Sequence, residues 1–156
     1  MKIRRAGKQD IEGINRLLFQ VCAVHHEGRP DLFKAGAKKY TDSELLAILE
    51  NDETLVFAAV DECGILMGYA FCVFIRQKDD NIFEDMNTLY IDDLCVDENL
   101  RGRHVGRALY EAVLAFAREQ NCYNVTLNVW SCNESAMRFY EACGLKPQKV
   151  GMEVIL

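Results

Sequence analysis

The chain has no run of about 18 apolar residues, so no membrane-spanning helix is expected. Its start, Met1-Lys2-Ile3-Arg4-Arg5, lacks the apolar stretch of a secretory signal peptide. Cysteines number seven, which is odd, and no two of them stand in C-x-x-C spacing. That spacing gives no zinc pattern, so no metal is expected. Cys22, Cys72, Cys95, Cys122 and Cys143 lie among apolar residues and read as buried free thiols of a reducing cytoplasm. No internal repeat and no low-complexity linker interrupts the 156 residues, a natural length for one domain, 1–156, with a single core. Positive charge is also short. The net charge of −6 argues against a general nucleic-acid binder.

The charges are unevenly placed. Asp79 to Glu98 holds eight carboxylates and no Lys or Arg, and Arg101, Arg103 and Arg107 follow directly. Periodicity predicts strands at Lys2–Arg5, Thr54–Val60, Ile65–Ile75, Asn87–Val96, Tyr123–Val129 and Val150–Leu156. It predicts helices from Lys8 to about His26, from Thr41 or Asp42 to Leu49, and from Val105 to Gln120. A last helix runs from a cap at Asn133 to Gly144. The order is mixed α/β around one sheet.

The segment Tyr90–Ala108, YIDDLCVDENLRGRHVGRA, carries the strongest signal. It passes from a strand through a basic, glycine-bearing turn into a helix start. Such a junction presents unpaired N–H groups and the positive end of the helix dipole to phosphate oxygens. Gly106 has no Cβ to hold a pyrophosphate off the backbone. A Walker loop is excluded because Arg107-Ala108 follows Gly106, and a dinucleotide fingerprint is excluded because Gly102 and Gly106 stand alone.

What remains is Arg-x-x-Gly-x-Ala at Arg103, Gly106 and Ala108. This resembles the coenzyme A pyrophosphate loop of the GCN5-related N-acetyltransferases, the GNAT superfamily. The likeness extends through Asn133, Ala136, Tyr140 and Gly144-Leu145, which have the family's spacing, and to the opening Ile3-Arg4-Arg5-Ala6 with Asp10 and Ile14. It suits a small single-domain member of bacterial type. It implies the GNAT (acyl-CoA N-acyltransferase) fold, a mixed central sheet flanked by about four helices. It also implies acetyl-CoA as co-substrate, held by Arg101, Gly102, Arg103, His104, Val105, Gly106, Arg107, Ala108 and Asn133. Backbone groups of Leu94, Cys95 and Val96 would pair with the pantetheine arm. The family's habit implies a homodimer, although no residue pattern fixes an interface.

Direct acetyl transfer to an amine needs a proton acceptor, because an amine with a pKa of about 10.4 is neutral roughly once in 2,500 molecules at pH 7. It also gains from an acid for the leaving thiolate. The spacing resemblance makes Tyr140 that acid, although Ala136, Phe139, Tyr140 and Cys143 also form an apolar stripe that reads as core. The segment YIDDLCV resembles that of polyamine-acetylating members and puts Asp92 in the place of their proposed base. An aspartate is a methylene shorter than glutamate, which favours a water relay. Strand alternation predicts Asp92 and Asp93 on opposite faces. His25 and His26 read as exposed helix-end residues. Trp130 reads as cleft lining or a subunit contact, and Phe33 as a wall of the acceptor side. The expected activity is transfer from acetyl-CoA to a primary amine, preferably of a small cationic molecule. Asp79, Asp80, Glu84 and Asp85 would bind a distal ammonium of that molecule. Alternatives are a protein N-terminal or lysine acetyltransferase and a non-catalytic acyl-CoA-binding module.

Overall fold

Alternating apolar and β-branched residues build the sheet. In the computed structural model, which describes residues 1–156, five strands pair in chain order. They are β1 (Lys2–Arg5), β2 (Thr54–Val60), β3 (Leu66–Gln77), β4 (Met86–Val96) and β5 (Asn124–Leu127). The first four are antiparallel to their neighbours, and β5 runs parallel to β4. The β2–β3 turn is closed by Asp61, whose carboxylate accepts from the N–H groups of Cys63 (2.9 Å) and Ile65 (2.8 Å), as turn aspartates do. A parallel pair needs a crossover, here α3 (Val105–Glu119); α1 (Ile11–Gly28) and α2 (Asp42–Glu50) join β1 to β2, and α4 (Glu134–Ala142) follows β5.

Helix ends follow local chemistry. Thr41 and Glu44 exchange hydrogen bonds at the start of α2, Glu44 N–H to Thr41 Oγ1 at 3.3 Å and Thr41 N–H to Glu44 Oε2 at 2.7 Å, a reciprocal cap. Asn133 Oδ1 accepts from Ala136 N–H at 3.1 Å, and Gly144 takes φ +91° after α4, a left-handed stop. Each sheet face has its own core. Ile14, Leu17 and Leu18 of α1 and Leu45 of α2 pack on Val56, Tyr69 and Phe71. Val105, Leu109 and Val113 of α3 pack on Leu55, Ala70, Leu89 and Ile91. Each such side chain contributes about 1.5–3 kcal/mol. The result is the expected mixed sheet with four flanking helices.

Two expectations fail. Val150–Leu156 forms no strand, and Val150, Met152, Val154, Ile155 and Leu156 are exposed. The alternation suits a strand, but these residues pair with none of the five strands. Among the cysteines, Cys72 and Cys95 are buried, whereas Cys22, Cys122 and Cys143 keep partial exposure at the margins of the cores.

A buried ion pair ties β1 to the start of α1. Arg4 donates to both oxygens of Asp10 at 2.7 and 2.8 Å, and Gly7 N–H donates to Oδ2 at 2.8 Å. Burial alone would raise the Asp10 pKa; the Arg4 and Gly7 donors hold it below its ordinary value. Arg4→Met therefore leaves a buried charge unpaired. Unfolding free energy is expected to fall by about 2–3 kcal/mol in urea titration, less than for a fully enclosed pair because Arg4 meets solvent. A depressed carboxylate stabilises above its unfolded pKa and loses that contribution as pH falls through the folded value. The deficit of the variant is accordingly expected to shrink below pH 3.8, the reference value for Asp10.

Candidate active site

β4 carries an extra residue. Phe71 of β3 faces Asp93 while the next residue, Cys72, faces Ile91, so Asp92 is bulged out of the ladder. A bulge resets side-chain alternation. Before it, Leu89 and Ile91 face the α3 core; after it, Cys95 faces the α1 core. Asp92 and Asp93 consequently lie on the same side, not on opposite faces as plain alternation predicts. Asp92 Oδ2 accepts from Lys39 Nζ (2.6 Å) and Tyr40 Oη (2.7 Å). Asp93 Oδ2 accepts from Tyr69 Oη (2.8 Å). Tyr40 stacks on Phe71, which meets Tyr69 edge-on, so the two carboxylates share one aromatic floor.

The β4–β5 ladder ends at Ile91 with Leu127. Beyond it, Leu94, Cys95 and Val96 pair only with Ala70, Tyr69 and Gly68 of β3. Their other edge is open to an extended ligand carrying amides, which would add there as a strand does. Cys95 offers its backbone alone, since its thiol is buried with Sγ 3.6 Å from the Leu17 carbonyl.

At the end of this edge the chain turns into α3. Buried Asp97 pairs with Arg16 and accepts from Asn99 N–H at 3.0 Å. Gly102 and His104 then take left-handed conformations, φ +78° and +61°. The N–H groups of Gly102, His104, Val105, Gly106 and Arg107 donate to no backbone carbonyl, and the first helical bond is Ala108 N–H to the His104 carbonyl at 3.0 Å. Converging free N–H groups at a helix N-terminus form an anion cradle. The Val105 side chain is buried and anchors the loop, while Arg101 and Arg103 are exposed. Arg107 is used otherwise: it donates to the Ala142 carbonyl at 3.0 Å and lies 3.9 Å from Glu111. Gly106 has a second reason to lack a side chain, because a Cβ there would lie 3.3 Å from the Phe139 ring of α4. A bulky residue at Gly106 thus disturbs the seat of α4 as well as the cradle.

Tyr140 projects from α4 beside Phe139, ring centroids 5.1 Å apart. Phe139 packs on the α3 core, whereas Tyr140 belongs to neither core and stays half-buried. Burial, and then the Asp93 charge, push its pKa above the ordinary value, so the phenol keeps its proton. Asp93 is perturbed as well. Desolvation, helped by Asp92, pushes it up to about 6 against the Tyr69 hydroxyl, Lys39 and the Leu94 N–H. A carboxyl of that pKa accepts protons near neutrality, and a phenol that stays protonated donates them.

The residues between α1 and α2 wall one side. His26 Nδ1–H donates to the Phe33 carbonyl at 2.7 Å, and His25 lies 5.0 Å from the Phe33 ring. The two histidines are half-buried and anchor this segment; they are not the exposed helix-end residues expected. Burial, with Lys39, lowers the His25 pKa. Trp130 meets Phe33 edge-on at 5.3 Å. A cavity of about 400 Å³ lies between α1 and the start of α4, lined by residues including Glu27, Cys132, Asn133 and Glu134 and by no Lys or Arg. The acidic block sits elsewhere. Asp79, Asp80, Glu84 and Asp85 form the tip of the β3–β4 hairpin, closed at Gln77 and Met86. Six residues of strand, roughly 20 Å, separate that tip from Asp92. Lys39, Tyr40 and Tyr69 were not legible as site residues, because only tertiary packing brings them to the two carboxylates.

Residues 19–145 match the family described as Acetyltransferase (GNAT) family. Human N-acetyltransferase 8B is 26% identical over 129 residues, which are 75% of this chain and 54% of that protein. Glucosamine 6-phosphate N-acetyltransferase 1 of Dictyostelium discoideum is 30% identical over 67 residues, 43% of this chain and 41% of that protein. The matched stretches thus span about half or less of these curated relatives. The crystal structure of the tetramutant of the BH1408 protein from Bacillus halodurans is 32% identical, covers 100% of both chains, and superposes with a TM-score of 0.95.

His104 holds a left-handed backbone that disfavours any side chain with a Cβ, at roughly 1–2 kcal/mol. His104→Gly is expected to raise unfolding free energy by about 1 kcal/mol, the remainder being offset by the greater freedom of glycine when unfolded. Thermal and urea unfolding check this, with circular dichroism unchanged.

Proposed function

The chain belongs to the GNAT acetyltransferase family, and from that premise we propose that it moves acetyl from acetyl-CoA to the primary amine of a small cationic molecule. Transfer of acetyl from acetyl-CoA to an amine is the family's reaction; the acceptor class and the residue roles are our reading. The observation that carries it is Asp93, raised to about 6 by desolvation on the strand whose edge beyond Ile91 is open, with its charge helping to keep Tyr140 protonated.

In this reading the cradle from Arg101 to Ala108 takes the pyrophosphate through the N–H groups of Gly102, His104, Val105, Gly106 and Arg107. Arg101 and Arg103 add charge. The backbone of Leu94, Cys95 and Val96 pairs with the pantetheine amides. Asn133, its Oδ1 committed to capping, offers its side-chain N–H donors to the same ligand. We assign the proton acceptor to Asp93 in place of Asp92, whose Oδ2 already serves Lys39 and Tyr40. Asp93 takes a proton from the ammonium, directly or through water. The amine nitrogen bonds to the acetyl carbon and the carbon–sulfur bond breaks. As the bond to sulfur breaks, Tyr140 gives its proton to the departing sulfur. It is reprotonated, through water, by the second proton that the acylated nitrogen sheds. This leaves an acetamide, a free thiol and one proton that passes from Asp93 to solvent.

Thiol release against pH tests the assignment. The kcat/KM of the native enzyme is expected to rise with pH through about 6 as Asp93 deprotonates. Asp93→Asn should lose that limb and fall at least about tenfold in turnover at pH 7, and less at pH 9, where more amine is neutral. Tyr140→Phe should lower kcat about tenfold or more without changing acetyl-CoA affinity. A larger loss in Asp92→Asn than in Asp93→Asn would return the base to Asp92.

In this reading the cavity between α1 and the start of α4 takes the distal ammonium of the acceptor. The charged residues that line the cavity, Glu27 and Glu134, are both acidic, and Glu134 is shared with Arg138 at 3.1 Å. A carboxylate about 4 Å from an ammonium gains on the order of 4 kcal/mol at an effective dielectric near 20, before desolvation. Glu27→Gln should therefore lower kcat/KM several-fold for diamines and little for monoamines, with the difference shrinking in salt. Turnover confined to peptide amines would favour a protein acetyltransferase, and acetyl-CoA binding without thiol release on any amine would leave a non-catalytic module.

A further inference from the structure

Tyr69 is the largest of the fully buried side chains. Its ring packs among Ile14, Leu17, Leu18 and Phe71 on the α1 side of the sheet, edge-on to Phe71 at 5.0 Å. A phenylalanine would fill that space with no polar atom to desolvate. A buried hydroxyl is costly unless a partner accepts its proton. The hydrogen-bond partner of Tyr69 Oη is Asp93 Oδ2, 2.8 Å away. Burial, and then the Asp93 charge, raise the Tyr69 pKa well above its ordinary value, so the phenol keeps its proton and acts as a donor to the carboxylate.

The bulge at Asp92 makes this contact possible. Plain alternation would send Asp93 after Leu89 and Ile91 toward α3; the extra residue turns it, with Cys95, to the α1 side, where Tyr69 lies. Groups from every neighbouring element face it. Lys39, from the segment before α2, and the Leu94 N–H favour the ionised form, and Asp92 opposes it. Cys22 of α1, Cys95 of β4 and Tyr140 of α4 have their pKa values raised by burial first and then by the Asp93 charge. Tyr69 alone among the side chains forms a hydrogen bond to it.

We infer that Tyr69 is a positioning residue for acetyl transfer: its hydroxyl holds Oδ2 of Asp93 and leaves Oδ1 to the acceptor amine. This rests on the reading of Asp93 as the proton acceptor. Without the donor the carboxylate is free to turn about its Cβ–Cγ bond, and an oxygen of unfixed direction costs rate. The same donor stabilises the ionised form. One hydroxyl thus sets both the direction of Asp93 and the pH at which it accepts a proton.

Tyr69→Phe, which removes one oxygen from the core, tests this. The carboxyl carbon-13 resonance that is missing from Asp93→Asn reports Asp93 whatever the activity. It should titrate at about 6 in the native protein and about one unit higher in Tyr69→Phe, and the acid limb of kcat/KM should move with it. 3-Fluorotyrosine placed at position 69, a stronger donor of nearly the same shape, should move both the other way. At pH 9 Tyr69→Phe should still lower kcat about threefold or more. In an Asp93→Asn background it should cost less than about twofold, because the two groups act as one unit. An Asp93 resonance and limb that stay in place in both Tyr69 variants would overturn the inference and leave Asp93 as the base. Equal losses of kcat in the two backgrounds would do the same, and would make Tyr69 a packing residue. An acid limb that survives in Asp93→Asn would instead remove the base reading, and the positioning role with it.

Discussion

β4 can lie against β5 only while its backbone keeps the plain pleat, and the extra residue at Asp92 interrupts that pleat. Bulges bend a strand and increase its twist, and here the β4–β5 ladder ends at Ile91, one residue earlier. Three consequences meet at this point. The edge from Leu94 to Val96 is left without a strand partner. Asp92 and Asp93 come to one side of the sheet. The chain then enters the Gly102–His104 turn at the mouth of the opening. One inserted residue thus supplies the open edge and the carboxylate pair.

Much of the fold was legible because its determinants are local. Thr41 with Glu44, Asn133 with Ala136, and Gly144 are caps whose partners lie within a few residues, and periodic apolar faces mark α1 and α3. The cradle was legible for the same reason, as a strand, a turn and a helix start in sequence. The bulge was not, since no glycine or charge pattern marks Asp92, and a register shift becomes visible only with the neighbouring strand in place. A period of two applied across it set Asp92 and Asp93 on opposite faces. Lys39 and Tyr40 reach Asp92 across more than 50 positions, a separation that composition does not encode. Proximity in sequence misled in the opposite way for the acidic block. Asp85 and Asp92 are seven positions apart, a short step on a helix but nearly a full strand length on β4. The tail at Val150–Leu156 has the right alternation for a strand, yet pairing is a property of two segments, and the alternation names only one of them.

The places where local preference is overridden are also the places where a ligand would bind. His104 occupies a backbone region suited to glycine, the N–H groups that follow it lack protein acceptors, and β4 keeps an unpaired edge. Each is a cost to the folded chain that a pyrophosphate or an extended amide chain would remove on binding, so a cofactor held there would stabilise the fold by filling deficiencies already present.

Asp93 fits the same logic through protonation. Its pKa rises from the reference 3.8 to about 6 in the folded protein. A group raised in this way contributes stability that is complete below the unfolded value and is lost as pH rises through the folded one. At neutral pH the fold therefore carries a penalty of up to about 3 kcal/mol for keeping the carboxylate ionised. In the reading that makes Asp93 the proton acceptor, a proton drawn from an ammonium would relieve that penalty, and the energy that desolvation stores at Asp93 would be returned at the step where the amine becomes a nucleophile. Beside it, Lys39 and Tyr40 both donate to Oδ2 of Asp92 and hold that carboxylate in place.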